Sequence, residues 1–249
     1  MKNIVTLLAI TLMTILSGNV YAQKNNTAND YNLKKAYEVL NEEKDEVKAL
    51  DLVNKQLLET PDNVDALILR TRLLRRKHEF GQALLDINHA LKVNKPKKSE
   101  IPMSTVHWWK AYIYQDMGDW ENVAASLKTA YELAQKDDKD NLQSISFDYA
   151  QALYSLKDYD GADAIYRKML SLDEADQAAM IGLARNMILR EQYKEAIEML
   201  DKCQKYDADY AEIYRFKMQA YDSSVKRIRQ LTLAWTGLTR MMTPTLKPF

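Results

Sequence analysis

The sequence predicts an all-α protein: a right-handed superhelical solenoid of antiparallel helix pairs, about five units plus a partial sixth. Three observations predict it. A short pattern recurs in which an aromatic or apolar residue is followed by a small residue and, four further on, by another apolar one. Phe80-Ala83-Ile87, Trp120-Val123-Leu127, Tyr159-Ala162-Tyr166 and Tyr193-Ala196-Leu200 are the clear copies, and Val47-Ala49-Val53 is a weaker one. The small positions 49, 83, 123, 162 and 196 stand 34, 40, 39 and 34 residues apart, the step of a stacked helical array. The composition agrees. Six glycines and five prolines in 249 residues are too few for a turn-rich all-β fold and suit long helices.

Helical periodicity dominates from Tyr31 onward. It predicts the pairs 64–78 with 80–93, 104–117 with 120–134, 143–156 with 159–172, and 177–190 with 193–206. The turns inside each pair are short: Met117-Gly118-Asp119, Leu156-Lys157-Asp158 and Glu191-Gln192. Short turns make neighbouring helices antiparallel. Steps longer than 34 residues imply insertions around Lys95–Pro102 and Gln135–Leu142, and both are expected to lengthen the connection between successive units.

The ends are different material. Residues 1–22 combine Lys2, an apolar run from Ile4 to Leu16, and Val20-Tyr21-Ala22, where small residues occupy the two positions that a signal peptidase reads. This predicts an export signal cleaved before Gln23, with no lipid-anchoring cysteine. An uncleaved anchor is the alternative, but the run is short for a span of roughly 20 residues. Residues 23–29 read as a disordered lead. Residues 30–221 form the array, and 222–249 a basic C-terminal helix or tail. A sixth unit opens at Tyr210-Ala211-Glu212, but Arg227 and Gln230 stand where its second helix needs an aromatic and a small residue. Ser223–Phe249 holds five basic residues and no acidic one, while Leu231, Trp235, Leu238 and Met242 share a helical face. A capping helix, a docking tail, and a truncated or altered end each fit.

These units resemble tetratricopeptide repeats. In that family helices A and B form each unit of about 34 residues. Ala111, Ala150, Ala184 and, nearly, Thr71 match the small residue where A meets B, and Leu74, Tyr114, Leu153 and Met187 the bulky residue three later. The recurring pattern then falls on helix B. Small residues at the crossing let helices pack 8–10 Å apart. The resemblance covers roughly residues 30–221, with departures: only Pro61 keeps the family's proline after helix B, with Pro96 displaced by one, and Tyr37 stands where the first unit needs a small residue.

Chemistry is poorly signalled. His78, His89 and His107 have no metal-ligand spacing, and no glycine-rich phosphate loop occurs. No catalytic residue, cofactor or metal site is expected. The 35 basic and 35 acidic groups balance, so no net field favours nucleic acid. Cys203, the only cysteine, takes a place where other units carry Ala90, Ala130 and Met169, and reads as buried.

The resemblance implies that the A helices line a concave face where peptides or partner helices bind. In this register the face takes Arg72, Arg75, Arg76, Trp108, Tyr112, Phe147, Gln151, Tyr154 and Arg185. Aromatic and arginine side chains are the usual anchors of interfaces. Arg70-Thr-Arg72-Leu-Leu-Arg75-Arg76-Lys77 either holds an acidic ligand or a free carboxylate, or is a solvated face balanced by carboxylates of neighbouring units. Of Trp108 and Trp109, about 100° apart on a helix, one faces the groove and the other packs inward. The family's carboxylate-holding Lys and Asn set is not reproduced, since Glu38 follows Lys34 where an Asn is expected.

The expected function is therefore a non-enzymatic scaffold or adaptor of the bacterial cell envelope. It is exported to the periplasm or beyond, binds a peptide or partner protein of acidic character, and has no stable membrane span after signal cleavage. The alternative is the N-terminal repeat portion of a larger envelope enzyme or membrane-linked regulator. The partner and the oligomeric state are not legible.

Overall fold

The computed structural model describes residues 30–94, 101–206 and 211–242. The expected export signal, the lead and Pro96 lie outside them. Among the described residues there are eleven α-helices and no strand. They are α1 (Tyr31–Glu38), α2 (Glu46–Glu59), α3 (Val64–Arg76), α4 (Phe80–Val93), α5 (Met103–Met117), α6 (Trp120–Asp137), α7 (Lys139–Ser155), α8 (Tyr159–Leu172), α9 (Gln177–Leu189), α10 (Tyr193–Gln204) and α11 (Ala211–Met242). A π-helical stretch, Val39–Glu43, extends α1. The helices gather into two compact units divided between Leu133 and Ala134.

Within each unit α1 packs on α2, α3 on α4, α7 on α8 and α9 on α10, and each pair packs on the next. The crossings are as tight as the small residues require. Thr71, Ala83, Ala150, Ala162, Ala184 and Ala196 are fully buried. The Thr71 hydroxyl reaches the Ala83 carbonyl at 3.5 Å, across the α3–α4 crossing. Cys203 is buried, as expected. Its counterpart in the first pair is Gln56, also fully buried, whose Oε1 accepts from the Leu33 amide at 3.2 Å while Nε2 donates to Thr60 Oγ1 at 2.8 Å.

The turns inside four pairs share one construction. Amides of Glu79, Asp119, Asp158 and Gln192 donate back to the carbonyls of Leu74, Tyr114, Leu153 and Met187 at 2.9–3.0 Å. The residue before each, His78, Gly118, Lys157 and Glu191, has positive φ of 60–76°. This is a Schellman ending, which satisfies carbonyls that the helix leaves open. The residue after the left-handed one starts the next helix. Asp119 and Asp158 cap it directly, accepting amides from Asn122 at 3.1 Å and Gly161 at 2.9 Å.

Three expectations change. The structure puts Ala36, fully buried, at the first crossing, not Tyr37. Elsewhere the small A residue precedes the small B residue by twelve positions, as Thr71 precedes Ala83, whereas Ala36 precedes Ala49 by thirteen. The π-helical stretch takes up that extra residue. Val47 faces outward, at 71% exposure, because it stands two residues before Ala49 where the aromatic openers stand three. The insertion at 135–142 does not lengthen a loop. It is spent on helix, with α6 running to Asp137 and α7 starting at Lys139. Of the 95–102 insertion the described ends are tied together, since Asn94 Nδ2 donates to the Ile101 carbonyl at 3.0 Å.

α11 runs without a break through Tyr221. Ile213, Phe216 and Ala220 are buried, and α11 packs on α9 and α10.

Candidate functional site

Pairing sorts the arginines of the A helices into two kinds. Arg70 is fully committed: Nε and Nη2 each donate at 2.7 Å to the two oxygens of buried Asp86. Arg75 pairs with Asp116, Arg76 with Glu46, and Lys77 Nζ with Glu79 at 2.8 Å. Arg190 is held by Asp163 and Asp160 at 2.5 and 2.6 Å. Most of the basic run on α3 is therefore balanced internally.

Arg72 and Arg185 are the other kind. Among the described residues neither pairs with a carboxylate. The Arg72 guanidinium lies over the Trp109 ring, 5.0 Å from its centroid. Burial, with Arg75 and Arg76 nearby as lesser contributors, lowers its pKa from the usual arginine value. Arg75 joins the same cluster, 5.1 Å from the Tyr112 centroid. Tyr112 meets Trp109 edge-on at 5.4 Å and Trp108 at 5.7 Å. So α3 supplies two guanidiniums and α5 three aromatic rings, within one unit. Trp109 is the buried ring of the pair and Trp108 the half-exposed one.

In the other unit, the Arg185 guanidinium lies 3.5 Å from the Tyr154 ring centroid. Nη2 donates to Gln151 Oε1 at 2.9 Å and to the Tyr166 hydroxyl at 3.2 Å. Nε is buried with no hydrogen-bond partner. Tyr166 is fully buried on α8, and burial pushes its hydroxyl up to about 12. Its ring fills the space left by Gly182, where an added Cβ would stand 2.3 Å from the ring. Every group that touches Arg185 is neutral. Such a cation keeps its full appetite for an anion, because rings and amides offset only part of the lost hydration.

The structure therefore brings Arg72, Arg75, Trp108 and Tyr112 together, and separately Gln151, Tyr154 and Arg185. It leaves Arg76 outside the first cluster, on Glu46, and packs Phe147 against the buried core around Ala150 and Tyr166. Sequence reading missed Trp109, Asp116 and Tyr166 as members. Trp109 was the inward ring of an adjacent pair. Tyr166 belongs to helix B, and its hydroxyl reaches Arg185 of the A helix because Gly182 leaves room for the ring.

The histidines have ordinary surroundings. His89 contacts Asp62 at 2.8 Å, and His78 meets Phe80 edge-on at 5.6 Å. Burial lowers the His107 pKa from the usual value, with Lys110 adding to it. Among the described residues no group of three or more His, Cys, Asp or Glu could hold a metal ion, and no helix is long and apolar enough to cross a membrane.

Residues 153–220 match the family model of the tetratricopeptide repeat. No curated protein matches the sequence. Among solved structures, a tetratricopeptide repeat protein from Parabacteroides merdae has a TM-score of 0.65 at 19% identity, over 85% of this chain and 79% of that one. Pseudomonas aeruginosa pilF has a TM-score of 0.62 at 15% identity, over 88% and 94%. YrrB, described as a protein of this repeat class with an unusual peptide-binding site, has a TM-score of 0.57 at 17% identity, over 73% and 88%. At these identities the likeness shows the fold: an all-α solenoid of the tetratricopeptide-repeat kind.

Proposed function

We propose that this chain, a tetratricopeptide-repeat protein, is a non-enzymatic scaffold of the bacterial cell envelope that binds a carboxylate-bearing peptide or partner protein on its A-helix face. The fold itself supports an interaction role. One observation carries the finer reading: among the described residues Arg72 and Arg185 are A-helix arginines held only by rings and neutral acceptors, while the neighbouring Arg70 and Arg75 are neutralised by Asp86 and Asp116. A ligand carboxylate supplies the missing charge, in hydrogen bonds worth about 1.5–3 kcal/mol each. Trp108 and Tyr112 offer flat apolar surface beside Arg72 for the flanking side chains. YrrB's peptide-binding site supports the same use of this fold.

Export rests on the leader-like residues 1–22. N-terminal sequencing of the protein recovered from a periplasmic fraction should begin at Gln23. A chain that keeps Met1 in the cytoplasm would remove the envelope from the proposal.

The binding test uses peptide arrays that differ only in Glu or Asp content, read with the wild type, Arg72→Gln and Arg185→Gln. Each substitution should weaken acidic peptides roughly ten- to hundredfold and leave neutral ones unchanged. Equal loss for acidic and neutral peptides, or no loss, would remove these arginines from recognition.

A further inference from the structure

We propose that Asp116 sets the specificity of the Arg72 site: it offsets the charge of Arg75, so the site presents one positive charge, matched to a ligand carboxylate and not to a phosphate group. This deepens the reading that Arg72 binds a ligand anion, and rests on it. Two guanidiniums share one ring here. Arg72 lies 5.0 Å from the Trp109 centroid and Arg75 5.9 Å from the same centroid. Like charges so placed repel, and more strongly where little water screens them. Arg75 Nε donates to Asp116 Oδ2, and that contact offsets the second charge. Arg76, which also acts on Arg72, is held by Glu46. Three guanidiniums and two carboxylates leave one positive charge, and Arg72 carries it.

The repeat does not ask for an acid at this place. Asp116 stands five residues after Ala111, the small residue of its crossing. On α3, α7 and α9 the same place holds Arg76, Ser155 and Leu189. Its own helix disfavours it as well. α5 ends at Met117 with Gly118 as its cap, so the Asp116 carboxylate sits in the last turn, against the partial negative charge of the open carbonyls. What favours Asp116 is Arg75, on α3. The Asp116 side chain is 35% exposed, so its charge stands within reach of an anion that binds beside Arg72.

The Arg185 site reaches the same charge by another route. Arg185 follows Ala184 on α9 as Arg72 follows Thr71 on α3. Three residues further on, where α3 has Arg75, α9 has Ile188. With a single cation no balancing acid is needed, and Arg185 touches only neutral groups. Each site therefore matches one carboxylate. A phosphoserine carries about −1.5 to −2 charge at neutral pH, and part of that charge would lie unmatched beside a lone guanidinium. Sites that take phosphate gather several arginines instead. Freed of Asp116, the Arg72 and Arg75 pair would be such a site.

The test is a peptide array in which every sequence is printed with Glu, phosphoserine or Gln at its central position. It is read at neutral pH and fixed low salt with the full chain after leader removal. The wild type should bind Glu members above Gln members, and phosphoserine members no better than Glu ones. Asp116→Asn uncovers Arg75 and should raise phosphoserine binding roughly tenfold while raising Glu binding less. Adding Arg75→Gln returns the site to one charge and should return the phosphoserine-to-Glu ratio to that of the wild type. Circular dichroism checks the fold of each variant. If Asp116→Asn does not fold, Arg75→Gln alone decides: it sets Asp116 against Arg72 and should weaken Glu members roughly tenfold, and no weakening overturns the proposal. A ratio that Asp116→Asn leaves unmoved, with the Glu preference intact, overturns the role of Asp116 and leaves the Arg72 reading standing; the pair then only joins α3 to α5. A wild type that already favours phosphoserine strongly over Glu overturns it too. A wild type blind to Glu against Gln overturns the Arg72 reading and this proposal with it.

Discussion

At the scale of single residues, small side chains at helix crossings carry much of the fold. Ala162 is fully buried between α7 and α8, so Ala162→Leu should overpack the crossing and cost about 1–3 kcal/mol in chemical denaturation. A neutral substitution would mean that α8 has room there. Gly182 makes a parallel case with a sharper cause. Gly182→Ala drives a methyl into the Tyr166 ring, which has no free rotamer because it is fully buried. The cost should again be about 1–3 kcal/mol, and Tyr166→Ala in the same chain should relieve the clash. Tyr166 also ties stability to pH. Its hydroxyl is raised in the folded state to about 12 from the ordinary 10, so the unfolded chain loses this proton first. Its stabilising contribution is whole below pH 10 and is lost as pH rises toward 12. Tyr166→Phe should flatten that part of the stability profile, measured by denaturation midpoints between pH 9 and 12.

At the scale of elements, the repeating object is larger than the aromatic-small-apolar pattern. It is a helix that ends in a left-handed residue, with the backbone carbonyl of its bulky apolar residue accepting the closing hydrogen bond, followed at once by the residue that starts the next helix. Only one of the four such endings uses glycine. Gly118 has φ of 76° and open space around a would-be Cβ, so Gly118→Ala isolates the backbone penalty. It should cost about 1 kcal/mol, read as a fall in thermal midpoint; no fall would mean that the turn can relax. His78, Lys157 and Glu191 bear the penalty natively. That is why no glycine signature marks these turns in the sequence. The helix pairs and short turns were legible because periodicity and spacing are local. The shifted first crossing was not. A one-residue π-helical insertion leaves no compositional trace, and it surfaces only as Ala36, rather than Tyr37, buried against α2.

At the scale of the whole molecule, the chain forms two compact units, each with its own buried clusters. In arrays of this kind stability passes between nearest neighbours. Hydrogen exchange on Ala162→Leu should therefore accelerate most in α7, α8 and α9, and least in α1 and α2. Uniform acceleration along the chain would indicate a single cooperative block.

The sequence by itself determined the repeat step, the helix pairs from α3 onward and the small residues at their crossings, because all follow from periodicity within about 40 residues. It also named the basic run on α3 and the aromatic residues of α5. Tertiary structure decided which of those charges are free. Arg70 and Arg72 stand two positions apart on one helix and look alike in sequence. Asp86 takes the first and Trp109 the second. Those partners come from other helices, and whether a cation meets a carboxylate or an aromatic face depends on how neighbouring helices pack. The same holds for Arg185, left without a counter-charge by Gln151, Tyr154 and Tyr166, and for Arg190, five residues on, held by Asp160 and Asp163.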